Sequence, residues 1–250
     1  LLTMYRGATA DNECPLQIDK STPTCGKSRF GCWVCTMVEK DKSMEAMIAN
    51  DQEKEWMSSL LEFRNEFGNE EGDRERRSFR RMKGNLQGNY GKLFHGPYKK
   101  EVREEWLEKL LNIQVDINRN GPEEFSNLEL ITIPELRAIR RIWVNEKHEF
   151  DDSLPRIYER VIGKSFDDPE WIHNDSFGIE EWEILKQVCN ELYPEEELAF
   201  EMMHTLIDVE NKASDVNQRK DILEDVNATI CKTFYKNEED ATKFYSDMMV

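Results

Sequence analysis

The sequence has no run of about 18 or more apolar residues, which excludes a membrane-spanning helix. It has no basic stretch followed by a short apolar core, so no secretory signal is visible. It has only 4 histidines, and no His/Glu metalloprotease pair. A Gly-x-Ser-x-Gly elbow is missing, and so are a glycine-rich strand-to-helix motif and a Ser-Gly-Gly-x-Asp-Ser pyrophosphate loop. Aspartates and glutamates are too numerous for any pair to be singled out as an acid/base couple. The chain by itself therefore shows no catalytic engine.

What is present is charge. Charged residues make up 34% of the 250, against an average of about 25%, and the net charge is -17. So acidic a surface argues against non-specific nucleic-acid binding; only a local basic patch could touch a phosphate backbone. With 6 Trp, 12 Phe and 10 Met, the chain has the means to bury a core rather than stay disordered. It begins at Leu1 rather than Met, and is expected to be part of something longer.

Four of the six cysteines cluster near the amino end: Cys14, Cys25, Cys32 and Cys35, spaced C-x10-C-x6-C-x2-C. With no secretory signal the expected compartment is the reducing cytoplasm, where structural disulfides are rare. Clustered cysteines there point to metal ligands. Pro, Gly, Ser and Thr make the segment a loop able to wrap a metal centre and aim backbone N–H groups at its sulfurs. Four thiolates suit tetrahedral zinc, though zinc sites usually show two close pairs and here there is one. An iron–sulfur cluster fits the wider gaps equally well. Spacing leaves the two metals open. Cys189 and Cys231 sit in helix-period apolar patterns and read as small buried hydrophobes.

The rest reads as helix, making the fold class mainly α: a Cys-rich metal- or cluster-binding loop over residues 1–40, then an acidic helical domain over 41–250. Asp41 or Ser43 caps a helix carrying Met44, Met47 and Ile48. Trp56, Leu60, Leu61, Phe63 and Phe67 mark a second helix ending at Gly68. Asp73 to Lys83 holds six basic residues among two acidic ones. Read as a helix, it sets Arg74, Arg77 and Arg81 on one face, with Arg76, Arg80 and Lys83 in a neighbouring row. These six either form a solvated or internally paired face, or grip phosphate or an acidic partner. Residues 84–98 read as a loop or short hairpin, with His95 an ordinary loop residue. A helix from Tyr98 ends at Asn120-Gly121. Thr132 caps another, with Pro134 in its first turn. Short helices follow near 153–162 and 178–192, and two or three more close the chain.

Ala8-Thr-Ala-Asp11-Asn-Glu13-Cys14-Pro15, then Cys25-Gly26-Lys-Ser-Arg29-Phe30-Gly31-Cys32-Trp33-Val34-Cys35-Thr36 and Lys42-Ser43-Met44, resemble the DndC sulfurtransferases of DNA phosphorothioation. These belong to the phosphoadenosine-phosphosulfate-reductase-like ATP-pyrophosphatase family. The resemblance is strong over residues 1–85 and fainter beyond. It implies an enzyme whose amino-terminal α/β domain uses ATP to activate a substrate. It also implies a 4Fe-4S cluster, with Cys14, Cys25, Cys32 and Cys35 as its ligands. Implied partners are a cysteine desulfurase, other phosphorothioation proteins and DNA, with no membrane. Because this chain lacks the nucleotide-binding loop, it is expected to be the carboxy-terminal portion, inactive alone, with the ATP site on the missing part. The competing readings are a zinc-stapled module that docks partner proteins, or a related enzyme of RNA or small-molecule thiolation or sulfate reduction.

Overall fold

The computed structural model describes residues 34, 41–69, 71–82, 84–89, 92–147, 149, 151–169, 171, 178–194, 196–214 and 221–248. They are mostly helical; the strands among them are two short pieces of a hairpin. The chain divides into two compact units. One takes residues up to Asp73 and Glu105–Ile131; the other takes Arg74–Glu104 and Thr132–Val250. The expected division near residue 40 falls beside residues outside the described set.

The first unit is built from α1 (Lys42–Asn50), a 3-10 segment (Gln52–Met57), α2 (Ser58–Gly68) and most of α4 (Lys100–Asn120). Asp41 starts α1 as its sequence suggests: the Met44 N–H donates to Asp41 Oδ1 at 3.1 Å. Apolar residues three and four apart on α2 and α4 meet in the core, where Leu60 and Leu111 are fully buried. Phe67 meets Trp106 edge-on at 4.9 Å, and Trp56 lies 4.6 Å from Phe125. The return segment after α4 is tied by side chains of that helix. Gln114 Oε1 accepts from Leu130 N at 2.7 Å, and Asn118 Oδ1 from Leu128 N at 2.9 Å.

The second unit begins at Arg74, inside α3 (Asp73–Arg76), and includes a hairpin of β1 (Gly88–Asn89) and β2 (Lys92–Leu93), paired antiparallel. Helices α5 (Ile133–Arg141) and α6 (Ser153–Ile162) follow, the first running into a π-helical turn at Ile142–Glu146. Thr132 caps α5 as expected, and Glu135 closes a full capping box with it. Arg140 is buried at the end of α5. Its Nε lies 2.9 Å from Asp152 Oδ1, its Nη1 3.3 Å from Asp168, and its guanidinium 3.8 Å above the Trp171 ring. Helices α7 (Ile179–Leu192), α8 (Glu197–Ser214), α9 (Ile222–Thr233) and α10 (Glu238–Met248) complete the unit. Within it α8 packs on both α7 and α9.

Candidate functional site

The six basic residues do not share one helix. Helix α3 is a single turn ending at Arg76, and Arg77 instead forms a β-bridge with Tyr98. Over its described residues 73–82, the expected helix is thus corrected to one turn followed by a non-helical strap. The strap finds its hydrogen bonds across space. Ser78 N donates to Pro97 O at 2.9 Å, Gly96 N to Ser78 O at 2.7 Å, and Lys99 N to Arg76 O at 2.9 Å. A returning chain rich in glycine can lie this close. A Cβ on Gly96 would stand 1.9 Å from the Arg80 carbonyl oxygen. Backbone pairing with a distant segment here overrides the helical preference of an arginine-rich stretch.

The arginines are largely taken up within the second unit. Arg74 Nη2 meets Glu238 Oε1 on α10 at 2.5 Å. His95 contacts the same oxygen through Nε2 at 3.0 Å, while its Nδ1 lies 2.8 Å from the Arg74 carbonyl. His95 is therefore a bridge between the strap and α10 rather than an ordinary loop residue. Arg77 stacks over Tyr98 at 3.8 Å and donates to its hydroxyl at 2.6 Å and to Gly96 O at 3.3 Å. Arg80 donates from Nη2 to Tyr235 O, just beyond the end of α9. Burial lowers the Arg80 guanidinium from its ordinary value, partly offset by the Glu201 carboxylate.

Arg81 is exposed and donates to His95 O at 2.7 Å. Arg76 is half-buried in the last turn of α3. Lys83 lies outside the described residues. A second pair of cations sits in this unit. Lys232 and Lys147 are both half-buried, and burial holds both ammonium groups below their usual range. Arg103 and Lys232 add repulsion at Lys147. Sequence reasoning missed Glu238, Tyr235 and Lys232 as neighbours of the arginine strap. No local signal could have found them, since they lie more than a hundred residues away.

Cys14, Cys25, Cys32 and Cys35 lie outside the described residues. Among the described residues no group of three or more His, Cys, Asp or Glu side chains is arranged to hold a metal ion. Cys189 is buried on α7 and Cys231 is half-buried on α9; both are free thiols. Among the described residues no helix is long and apolar enough to cross a membrane. Comparisons with family models, curated proteins and solved structures found no match to this chain.

Proposed function

We propose that this chain is the iron–sulfur-cluster-bearing part of a DNA phosphorothioation sulfurtransferase of the ATP-pyrophosphatase type. The observation that carries the reading is the string Cys25-Gly26-Lys-Ser-Arg29-Phe30-Gly31-Cys32-Trp33-Val34-Cys35 with Cys14 upstream. It is far more specific than a lone C-x2-C pair. The donor set fits the group. Four soft thiolates at loop spacing suit iron–sulfur ligation, and backbone N–H groups of a Gly- and Ser-rich loop suit its sulfurs.

Cys14, Cys25, Cys32 and Cys35 would hold the cluster, which supplies electrons or an iron site for sulfide. ATP-dependent activation belongs to an α/β domain that this sequence does not contain, so the chain alone is not expected to turn over. A cysteine desulfurase would supply sulfur, with DNA the acceptor and the other phosphorothioation proteins the assembly. The acidic surface would hold stray DNA away, leaving the exposed Arg81 as the basic group of the strap to test for contact with phosphate.

The test is iron, zinc and acid-labile sulfide analysis on protein purified without oxygen, with an absorption spectrum. Equal iron and sulfide with a broad band near ~400 nm supports a cubane, and Cys32→Ser or Cys35→Ser then bleaches it. One zinc per chain without iron overturns the cluster and leaves the docking-module reading. Loss of sulfur from cellular DNA on deleting the gene separates DNA from RNA or small-molecule acceptors.

A further inference from the structure

We propose that the outer face of α7 is a docking site for a basic amphipathic helix of a partner protein. Three large aliphatic side chains stand in a row on this helix at intervals of four: Ile184 (63% exposed), Val188 (43%) and Leu192 (66%). That spacing places them in one straight seam. The seam is not the surface that holds α7 in the fold. Trp182 and Cys189 do that from another face; Trp182 packs edge-on against Phe200 of α8 at 5.3 Å, and Cys189 is buried. Single exposed aliphatics need no explanation, but an aligned row beside an already satisfied face marks an interaction surface. A helix docking on a helix reads such a seam through anchors at i, i+4 and i+8.

The charge around the seam selects the occupant. Glu180 precedes Ile184 by one turn, and Glu191 follows Val188 by one turn; Glu183 is also exposed. Gln187 donates to Glu191 at 3.0 Å and leaves its charge in place. The single cation of α7, Lys186, lies 5.0 Å over the Trp182 ring. An apolar seam bordered by carboxylates is complementary to an aliphatic seam bordered by Lys or Arg. A second copy of the chain would set these glutamates against their own kind. An anionic lipid surface or a nucleic acid would meet the same repulsion.

The full chain is titrated into labelled synthetic peptides of about 18 residues, followed by fluorescence anisotropy. One peptide has leucine on one helical face and lysine on the other. The second has the same composition scrambled so that no face forms. The third replaces lysine by glutamate. The first is expected to bind at least about tenfold tighter than the other two, and more weakly at high salt.

Ile184→Ser with Leu192→Ser is expected to weaken the first peptide about tenfold, with helical content unchanged because both side chains are exposed. Glu180→Lys with Glu191→Lys weakens it without touching the seam, which guards against a misfolded serine variant. Equal binding of the scrambled peptide, or no change in either variant, overturns the proposal. So does a wild-type dimer in light scattering that the serine variant abolishes, since the seam would then belong to a second copy.

Discussion

Arg74 and Glu238 stand 164 residues apart in the chain, and their side chains meet at 2.5 Å. The contact joins the single turn of α3 to the start of α10, and His95 bonds to the same carboxylate oxygen. It shows what became of the basic segment in an acidic protein: part of its charge is used to hold the fold together. The consequences are measurable.

The arginines of the strap should separate by role. Arg77→Ala removes a ring stack and two hydrogen bonds, and Arg80→Ala removes a charged donor from the Tyr235 carbonyl. Each should cost about 1–3 kcal/mol, read as a lower urea midpoint at constant slope. Arg81→Ala should stay within about 0.5 kcal/mol, because Arg81 is exposed. If DNA or a partner is gripped here, Arg81→Ala should weaken that binding without unfolding the chain. Charge neutralisation at Arg77 or Arg80 would confuse binding with stability.

Two glycines with left-handed backbone should respond differently to alanine. At Gly84 (φ 82°) a Cβ would lie 2.4 Å from Lys232 Cγ, 2.6 Å from Lys232 N and 2.7 Å from Ala228 O. Two of these are backbone atoms of α9 that cannot step aside, so Gly84→Ala should cost about 2–5 kcal/mol. Gly163 (φ 74°) ends α6 with nothing within 4 Å of that position. Gly163→Ala should cost only the backbone strain, about 1–2 kcal/mol. Equal losses in a denaturation series would contradict the close approach of the strap to α9.

Arg140→Ala should be among the most damaging single changes in the second unit. It would leave Asp168, with a side chain only 1% exposed, without its nearest guanidinium, and would strip the cover from Trp171. Breaking a buried pair from one side costs about 3–5 kcal/mol. Arg156→Ala, whose side chain is 66% exposed and meets Asp151 at 3.5 Å, should change stability by less than about 1 kcal/mol. Chemical denaturation followed by tryptophan fluorescence reads both.

Acid should weaken the strap's attachment. Desolvation pushes Glu238 up, but the hydrogen bonds from Arg74 and His95 outweigh it and hold the carboxyl below its ordinary 4.5. A carboxylate with a depressed folded value stabilises fully above 4.5 and loses that contribution as pH falls through the lower folded value. The melting temperature of the Glu238→Gln variant should therefore lie slightly below wild type at neutral pH and converge on it in acid. The difference is small, since the group is partly exposed and water screens it. A gap that widens as pH drops would rule out the linkage.

Much of the helical layout was legible because its signals are local. Thr132 and Glu135, three residues apart, write their own capping box, and Asp41 finds Met44 at the same spacing. The apolar interval on α2 marks Leu60 and Phe63 as core, and both are buried. The extents of α6 and α7 follow from the same kind of pattern. Residues 84–98 read as a loop or a short hairpin, and the structure decided for the hairpin. Cys189 was read as a small buried hydrophobe, and it is one. Cys14, Cys25, Cys32 and Cys35 stand out in the sequence as a motif, and all four lie outside the described residues.

By itself, then, the sequence determined an acidic, mainly helical protein with four of its six cysteines clustered near the amino end. Composition, capping and three- to four-residue periodicity act within one turn of chain and need no tertiary partner. Only the tertiary structure decided the fate of the arginines. Along the chain, Arg74, Arg77 and Arg80 were equally suited to a solvated or internally paired face or to a grip on phosphate or an acidic partner. They pair internally, with Glu238, Tyr98 and the Tyr235 carbonyl, at separations of 164, 21 and 155 residues. A charged side chain takes whichever partner folding brings within hydrogen-bond reach. At those separations no pattern along the chain records the outcome.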